Sequence, residues 1–381
     1  MVYTNNEMKV FILASSSRSL VNFRSQLVLD FIARGYEVHV SAPELTKDHE
    51  TSEWLCAHKV VCHNAPFSRT GLNPLKDAIA LLKLRKLIAG IKPDIFLGYT
   101  IKPVIWGGLA ARISGVPTRV ALITGLGYAF TGEVSGKRKL IQRIVRSLYR
   151  QSLKGMHQIF FQNPDDKYDF ERLGVLPSHV PIDIVNGSGV NTGQYPVTPL
   201  PAEPVKFLLI ARLFGDKGIR EYAMAAHEVK KAVPDAEFHL VGGLDPNPNG
   251  LKETEVEAWV KQGDIMWHGS QSDVRPFIAN CHIYVLPSYR EGTPRTVLEA
   301  MSMGRPIITT DAPGCRETVV ADYNGYLVPV QNIERLVEAM MIFINEPSQI
   351  SVMGENSRKL AESKYDVHKV NEFMLSVILD H

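Results

Sequence analysis

Residues 289–300 read YREGTPRTVLEA and connect a predicted strand to a predicted helix. The apolar run 283–286 just before them is typical of a buried strand. Gly292 lets the backbone approach a ligand closely, and Thr293 and Pro294 turn the chain into the helix. Backbone N–H groups at such a helix start can hold a phosphate or a sugar oxygen. The stretch therefore predicts a ligand-binding loop at the carboxyl end of a strand.

Two glutamates, Glu291 and Glu299, lie in this stretch. A carboxylate can accept hydrogen bonds from two hydroxyls at once, which suits a ribose or a hexose. An isolated pair of glutamates is more often a surface residue and a solvated helix residue. Here the small residues Ala300, Ser302 and Gly304 follow the second glutamate and indicate close packing around a site.

On both sides of this stretch, short β-branched runs alternate with amphipathic helical patterns. Strands are predicted at 10–14, 37–42, 94–99, 119–123, 158–161, 206–211, 237–242, 265–268, 283–287 and 306–310. Helices are predicted at 21–34, 75–88, 104–113, 140–153, 219–233, 273–279 and 296–303. Alternation of this kind predicts an α/β fold, in which parallel sheets are covered on both faces by helices.

The length of 381 residues exceeds what one hydrophobic core usually organises. The Pro- and Gly-rich region near 186–204 is predicted to link an N-terminal domain, 1–185, to a C-terminal domain, 205–360. The last helix, about 360–381, is expected to pack back on the first domain. Two Rossmann-like, doubly wound domains would then face a central cleft, where ligands of such folds bind.

The composition excludes several classes of protein. No run reaches the roughly 18 apolar residues that a membrane-spanning helix needs, and the first apolar run is too short for a signal peptide. The four cysteines form no disulfide framework, and the spacing from Cys56 to His63 matches no common zinc pattern. We therefore expect a cytoplasmic protein without a metal site.

The net charge of +2 hides an asymmetry between the two halves. Residues 1–200 hold 24 Lys and Arg against 15 Asp and Glu, a net charge of +9, whereas the remainder carries −7. A basic first half suggests an anionic partner, and a nucleic acid, an anionic membrane and a phosphorylated acceptor all qualify.

A second motif, residues 211–218, reads ARLFGDKG and follows the first predicted strand of the second domain. Arg212 and Lys217 are expected near one another at a helix start. Two cations there can neutralise a departing diphosphate without a metal. A solvated loop with two basic residues is the alternative, which the glutamate pair further along the chain makes less favourable.

The two motifs together resemble glycosyltransferase family 4, whose members carry a Glu, seven residues and a second Glu in this strand–loop–helix setting. The resemblance implies a GT-B fold and transfer that retains the anomeric configuration. It also implies that Glu291 contacts the donor sugar, that Glu299 contacts the nucleotide ribose, and that Arg212 and Lys217 hold the diphosphate. In the family the acceptor hydroxyl is thought to pass its proton to the departing phosphate.

Further site residues follow from strand ends and from the resemblance. Gly243 and His268 lie in loops beside which the family places the nucleotide base, although His268 is equally well explained as structural. Gly292, Thr293 and Pro294 complete the predicted donor site. Acceptor contacts are predicted from Ser17, Arg18, Lys102, Gly125 and Gly127. Here serines replace the Gly-Gly pair common in the first loop of the family, and the 124–128 loop lacks the family's His.

Residues 17–24 and 125–127, taken with 289–300, are similar to one branch of the family. This branch comprises bacterial enzymes that extend undecaprenyl-diphosphate-linked sugars, including N-acetylgalactosaminyltransferases. The basic, amphipathic segment 137–150 fits such a lipid-linked acceptor because it can lie on an anionic inner-membrane surface. An ordinary helix with its apolar stripe in the core is the competing interpretation.

The sequence thus predicts a metal-independent hexosyltransferase. It would act on the cytoplasmic face of the inner membrane, with a nucleotide diphosphate sugar, expected to be a UDP-sugar, as donor. An epimerase or phosphorylase of the same fold is an alternative, as is a nucleotide- or nucleic-acid-binding protein. The basic half lacks interleaved aromatics, so nucleic acid is not expected as a partner. No Gly-x-Gly-x-x-Gly follows a predicted strand, which argues against an oxidoreductase.

Overall fold

The computed structural model describes residues 8–68, 74–125, 137–245, 247 and 249–380. The chain divides into two compact units, one made of Met1–Ser188 with Asn371–His381 and the other of Gly189–Val370. Each unit contains one parallel sheet with helices in its connections, as the alternating pattern predicts. Within the described residues, no helix combines the length and apolar content needed to cross a membrane.

The first unit is built on a seven-stranded sheet whose order is β3-β2-β1-β4-β5-β6-β7. Its strands are β1 (Lys9–Leu13), β2 (Glu37–Ala42), β3 (Val61–Asn64), β4 (Ile95–Tyr99), β5 (Thr118–Ile123), β6 (Gln158–Phe161) and β7 (Ile182–Ile184). Every pairing is parallel. The strand order reverses between β1 and β4, so the connections after these two strands leave the same point of the sheet in opposite directions.

The helices of this unit are α1 (Ser17–Ala33), α2 (His49–Ala57), α3 (Pro74–Ile91), α4 (Gly108–Ile113), α5 (Lys137–Leu153) and α6 (Pro164–Arg172). The helix predicted at 104–113 is divided, because a π-helical turn, Pro103–Gly107, precedes α4. Asn163 caps α6 by accepting from the Asp166 amide, and Asp165 and Asp166 lie in the first turn of this helix.

The second unit contains a six-stranded parallel sheet in the order β10-β9-β8-β11-β12-β13. Its strands are β8 (Lys206–Ile210), β9 (Glu237–Val241), β10 (Met266–Trp267), β11 (Ile283–Leu286), β12 (Ile307–Thr310) and β13 (Gly325–Val328). Its helices are α7 (Ile219–Ala232), α8 (Glu253–Gln262), α9 (Arg275–Ala279), α10 (Arg295–Ser302), α11 (Ile333–Asn345) and α12 (Ser348–Lys364).

Several elements fall outside the predicted set. The strands β7 and β13 have only three and four residues, and β7 contains Asp183, so neither gives a pattern long enough to predict a strand. The helices α2 and α8 carry many charged or polar residues and bury only two and one of their side chains, respectively. Sequence periodicity is weak in such elements because few of their side chains contribute to a core.

The predicted linker belongs almost entirely to the second unit, whereas the end of the chain belongs to the first. From Gly189 onward the segment belongs to the second unit, where the Arg305 guanidinium donates to the carbonyl oxygens of Thr198 and Pro199. The last helix, α13 (Val367–Leu379), leaves the second unit at Asn371. Beyond that point Met374, Leu375 and Ile378 join the core of the first unit.

Candidate active site

The loops that follow β8 and β11 meet in the second unit. These strands are neighbours at the point where the strand order reverses, and ligands of doubly wound folds bind at the carboxyl ends of strands at such a point. The β8 loop contains a 3₁₀ turn, Gly215–Lys217, directly before α7. The β11 loop contains Glu291 and Gly292 and leads into α10.

Lys217 and Glu291 form an ion pair across these two loops. The Lys217 Nζ atom donates to Glu291 Oε1 at 2.5 Å. Their side chains are 21% and 14% exposed, so the pair is mostly shielded but reachable from solvent. The folded chain thus brings one predicted catalytic cation into contact with the predicted catalytic carboxylate.

Two glycines, one before α7 and one after β12, allow neighbouring backbone segments to lie close together around this pair. Gly218 has φ +70°, and a Cβ added there would lie 2.0 Å from the carbonyl oxygen of Pro287 at the end of β11. Gly314 has φ +79°, and its Cβ would lie 2.1 Å from the carbonyl oxygen of Glu291. Any larger residue would displace a backbone segment that carries the ion pair.

Arg212 is held by a different carboxylate. Its Nη1 atom lies 2.5 Å from Oδ2 of Asp245, and the Asp245 side chain is 3% exposed whereas that of Arg212 is 60% exposed. Asp245 comes shortly after β9 and was not among the residues predicted from sequence. Its position, four residues after the end of β9, was the only feature of the sequence that could have indicated it. The exposed guanidinium is therefore anchored at one end and open to a ligand.

Glu299 is buried on α10, where it accepts a 3.0 Å hydrogen bond from Arg295 Nε one helical turn earlier. Burial raises the pKa of its carboxyl, and the Arg295 charge and a hydrogen bond with Tyr195 counteract this rise. Neither Arg295 nor Tyr195 was predicted as a neighbour. Tyr195 comes from the segment expected to be a linker, so nothing in its sequence context indicated this position.

The remaining predicted donor residues lie on neighbouring strand ends and loops. Gly243 follows β9, and its carbonyl accepts from the Leu213 amide of the β8 loop. Thr293 Oγ1 donates to the Gly292 carbonyl at 3.0 Å, and Pro294 immediately precedes α10. His268 follows β10, and its Nε2 lies 2.9 Å from Nδ1 of His239.

The predicted acceptor residues lie in the first unit. Ser17 begins α1 and donates to Asp48 Oδ2 at 2.6 Å, while the neighbouring Arg18 is largely exposed, with Nε 3.9 Å from the same oxygen. Lys102 is buried, where it donates to the Ser68 carbonyl at 2.8 Å and lies 3.8 Å from Asp77. An ammonium held in this way is a structural contact more than an open phosphate ligand.

The two predicted glycines belong to the loop after β5. Gly125 has φ +133°, and Gly127 lies outside the described residues. The serine-rich loop after β1 is joined to the end of β4, because Ser19 Oγ lies 2.9 Å from the hydroxyl of Tyr99. Arg24, which the prediction did not include, is buried beneath it and stacks 5.5 Å from the Tyr99 ring centre.

No group of three or more His, Cys, Asp or Glu side chains is placed to hold a metal ion in the described parts of the chain.

Comparison with known families decides the identity of the chain. Residues 9–163 match the family model of glycosyl transferase 4-like domains, and residues 194–360 match that of glycosyl transferases group 1. The chain belongs to glycosyltransferase family 4. The glycosyltransferase therefore carries its Lys217–Glu291 contact in the group 1 region and its serine-rich loop in the 4-like region.

Two curated relatives extend over most of this glycosyltransferase. It is 29% identical over 354 residues to the N,N'-diacetylbacillosaminyl-diphospho-undecaprenol alpha-1,3-N-acetylgalactosaminyltransferase of Campylobacter jejuni, with 89% of this chain and 90% of that one covered. It is 25% identical over 307 residues to the UDP-Gal:alpha-D-GlcNAc-diphosphoundecaprenol alpha-1,3-galactosyltransferase of Escherichia coli, with 77% of each chain covered.

Solved structures place the glycosyltransferase in the predicted GT-B class. Sucrose-phosphate synthase from Thermosynechococcus elongatus superimposes with a TM-score of 0.79 at 17% identity over 98% of both chains. The HepE protein of Anabaena, solved with UDP, gives a TM-score of 0.77 at 18% identity over 98% of this chain and all of that one. At these identities the likeness concerns the fold.

Proposed function

We propose that this glycosyltransferase moves a hexose or N-acetylhexosamine from a UDP-sugar to a polyprenyl-diphosphate-linked saccharide, with retention of configuration, in the synthesis of a cell-surface glycan. The observation that carries the proposal is the Lys217–Glu291 contact at the reversal point of the second sheet. The acceptor class follows from the two curated relatives, whose names give undecaprenol-diphosphate-linked saccharides.

The donor half of the proposal uses charges that are already in position. Lys217 and Arg212 each rest against one carboxylate, which keeps the two cations in place before a ligand arrives. The diphosphate of the donor would take over part of these contacts, and the Glu291 carboxylate would then turn to hydroxyls of the sugar. Both cations oppose the negative charge that develops on the departing nucleotide diphosphate.

Retention requires the acceptor oxygen to bond to the anomeric carbon on the face from which the nucleotide diphosphate leaves. The bond between that carbon and the phosphate oxygen breaks as the new glycosidic bond forms. The acceptor hydroxyl then passes its proton to the departing phosphate. This route needs no protein base, and with Lys217 and Arg212 bearing the charge it needs no metal.

The acceptor half relies on the basic first unit, in particular on α5. This helix buries Gln142, Val145 and Tyr149, whereas Ile141 and Ile144 are 42% and 47% exposed. The exposed isoleucines lie on the same helix as four described basic residues: Lys139, Arg143, Arg146 and Arg150. Exposed apolar and cationic side chains on one helix fit peripheral binding to an anionic membrane, the cytoplasmic face of the inner membrane in our proposal.

Transfer is tested by incubating the purified protein with a panel of UDP- and GDP-sugars, with and without an undecaprenyl-diphosphate-linked N-acetylhexosamine. We expect one UDP-sugar to give a lipid-linked product one sugar longer, with the α linkage if the donor is α. Conversion of the donor to an epimer or a sugar phosphate without acceptor would instead support the alternative enzymes of this fold. Turnover of no nucleotide sugar at all would refute the proposal.

Membrane binding is tested by sedimentation with vesicles of phosphatidylglycerol and phosphatidylcholine. The variant Ile141→Ser/Ile144→Ser should lose most binding, because two exposed apolar side chains are removed from the helix. The control Val260→Ser/Val352→Ser changes two exposed valines on α8 and α12 of the second unit. Equal binding by both variants would contradict the role of α5.

A further inference from the structure

A cavity of about 550 Å³ lies in the first unit between α3 and the edge of the sheet. It extends from Lys9, the first residue of β1, to Ile91, the last residue of α3. It therefore opens toward the amino ends of the strands, whereas the candidate active site uses carboxyl ends. The donor and acceptor contacts proposed above include none of the residues that line it.

The lining of this cavity is cationic. Lys9, Lys83 and Lys86 contribute three ammonium groups, and among the described residues no carboxylate lines the cavity. Lys9 is paired with Glu37 at 3.2 Å. Lys83 and Lys86, on successive turns of α3, make no ion pair or side-chain hydrogen bond with any residue that the structure describes. Two unneutralised lysines at one cavity attract an anion and repel a cation.

Two histidines form the sheet side of the cavity. The His39 and His63 rings are stacked, and His39 Nδ1 lies 3.0 Å from His63 Nε2. The other nitrogen of His39 lies 2.7 Å from a carboxylate oxygen of Glu37. Since a carboxylate only accepts, His39 donates through Nε2, and His63 must donate through Nε2 to His39 Nδ1. The Nδ1 atom of His63 has no hydrogen-bond partner in the described part of the chain.

The same array of side chains recurs in the second unit. Lys206 and Glu237 are 3.5 Å apart, Glu237 lies 3.1 Å from His239, and His239 lies 2.9 Å from His268. Both arrays join three adjacent strands and end at the edge strand, with His63 on β3 and with His268 directly after β10. The array therefore connects the edge strand to its neighbours in both units, and it does not by itself indicate a ligand. The cavity and the two α3 lysines carry the inference.

We propose that this cavity binds a phosphate ester through Lys83, Lys86 and the Nδ1 atom of His63. The two ammonium groups match a dianionic phosphate, and His63 becomes a third donor when its Nδ1 takes up a proton. Leu87 and Ile91 add apolar lining, which leaves room for the organic part of an ester. The ester can be a soluble metabolite or the head group of an anionic lipid, and α3 itself exposes Ile79 and Leu82.

Binding of an anion whose own charge stays constant should strengthen as the pH falls, because His63 gains a positive charge. Burial and the neighbouring His39 lower the pKa of the free His63 ring, and a bound phosphate would raise it. The charged groups that face His63 are Lys9 on β1, Glu37 on β2 and the two α3 lysines, with His39 in direct contact. Inorganic phosphate itself titrates near neutral pH, so the pH dependence is measured with sulfate, which stays dianionic between pH 6 and pH 8.

The experiment follows the imidazole NMR signal of His63, assigned by its loss in His63→Gln, while inorganic phosphate is added to the full-length protein with saturating UDP. UDP fills the donor site, so the signal reports on the cavity. We expect a saturable shift with phosphate, and a saturable shift with sulfate that needs about tenfold more sulfate at pH 8 than at pH 6. Lys83→Ala/Lys86→Ala should weaken binding about tenfold or more. The control Arg85→Ala/Lys261→Ala removes the same charge from exposed positions outside the cavity and should leave binding within about twofold.

Vesicles of phosphatidylcholine with or without phosphatidic acid separate the two sources of phosphate. If the lysine variant loses binding to phosphatidic acid and the control does not, the natural ligand is a lipid head group. If both bind vesicles alike while the phosphate response differs, the ligand is a soluble ester. A His63 signal that does not saturate with phosphate, or that responds equally in both variants, overturns the proposal.

Discussion

The ammonium nitrogen of Lys217 lies 2.5 Å from a carboxylate oxygen of Glu291, although 74 residues separate the two along the chain. Removing either side chain should lower kcat by about 10²–10³-fold, because a cation at the departing diphosphate or a contact to the donor sugar is lost. The double variant Lys217→Ala/Glu291→Ala should be much less impaired than the product of the two single losses, since the residues act as a unit.

Initial rates of sugar transfer check this prediction, with urea unfolding to confirm that each variant folds. The matched control is Lys231→Ala with Glu228→Ala, an exposed pair at 2.8 Å on the outer part of α7. Near-normal turnover of Lys217→Ala would show that the pair is structural, and a fall in the control would show that the assay reports on stability.

Arg212→Ala should weaken UDP binding by about tenfold and lower kcat/KM further, because an exposed guanidinium that meets the diphosphate is lost and buried Asp245 loses the charge of that guanidinium. Arg212→Lys keeps the charge without the planar fork and should recover only part of the activity. Calorimetric titration with UDP measures the first effect. Arg220→Ala, which breaks a half-buried pair with Glu255, should bind UDP as the wild type does.

Gly218→Ala should destabilise the second unit by about 3 kcal/mol or more, because it combines a left-handed φ with a Cβ that meets the Pro287 carbonyl at 2.0 Å. Gly263→Ala has φ +79° but open space around its Cβ, so it should cost only about 1 kcal/mol. The difference in free energy of unfolding in urea isolates the close approach of the two loops. Equal costs would mean that the loops can separate without penalty.

Glu299→Gln should raise stability at neutral pH by about 0.5–2 kcal/mol while it lowers transfer activity. Burial raises the pKa of the Glu299 carboxyl above its unfolded value, so its contribution to stability is retained below the ordinary pKa. That contribution is lost as the pH rises through the raised pKa. The stability gap between Gln and Glu should therefore widen between pH 4 and pH 7 in thermal unfolding, and a constant gap would contradict the raised pKa.

Activity should survive EDTA without loss, because Arg212 and Lys217 supply the positive charge that a divalent metal provides in other transferases. The measurement is the transfer rate before and after chelation, followed by addition of Mg²⁺ or Mn²⁺. Activity that disappears with EDTA and returns with a metal would contradict a metal-independent mechanism.

The local sequence was sufficient to predict most strands of the two sheets. Strands Glu37–Ala42 and Gln158–Phe161 have the predicted bounds. The first alternates apolar with polar residues and the second is a short apolar run, and both patterns are typical of strands. The glutamate spacing and the two basic residues after β8 also indicated the family that the comparisons show. These signals are local in the sequence, since each depends on residues that follow one strand.

Contacts between distant segments were decided by the tertiary structure alone. Arg212 pairs with Asp245, whereas Glu291 pairs with Lys217. Tyr195, from the predicted linker segment, contacts Glu299. Lys102 follows a strand end, as the other predicted acceptor residues do, but it is buried and contacts Ser68 and Asp77. The sequence indicates that a residue follows a strand end. The order of strands in the sheet then determines which residues of other loops lie next to it.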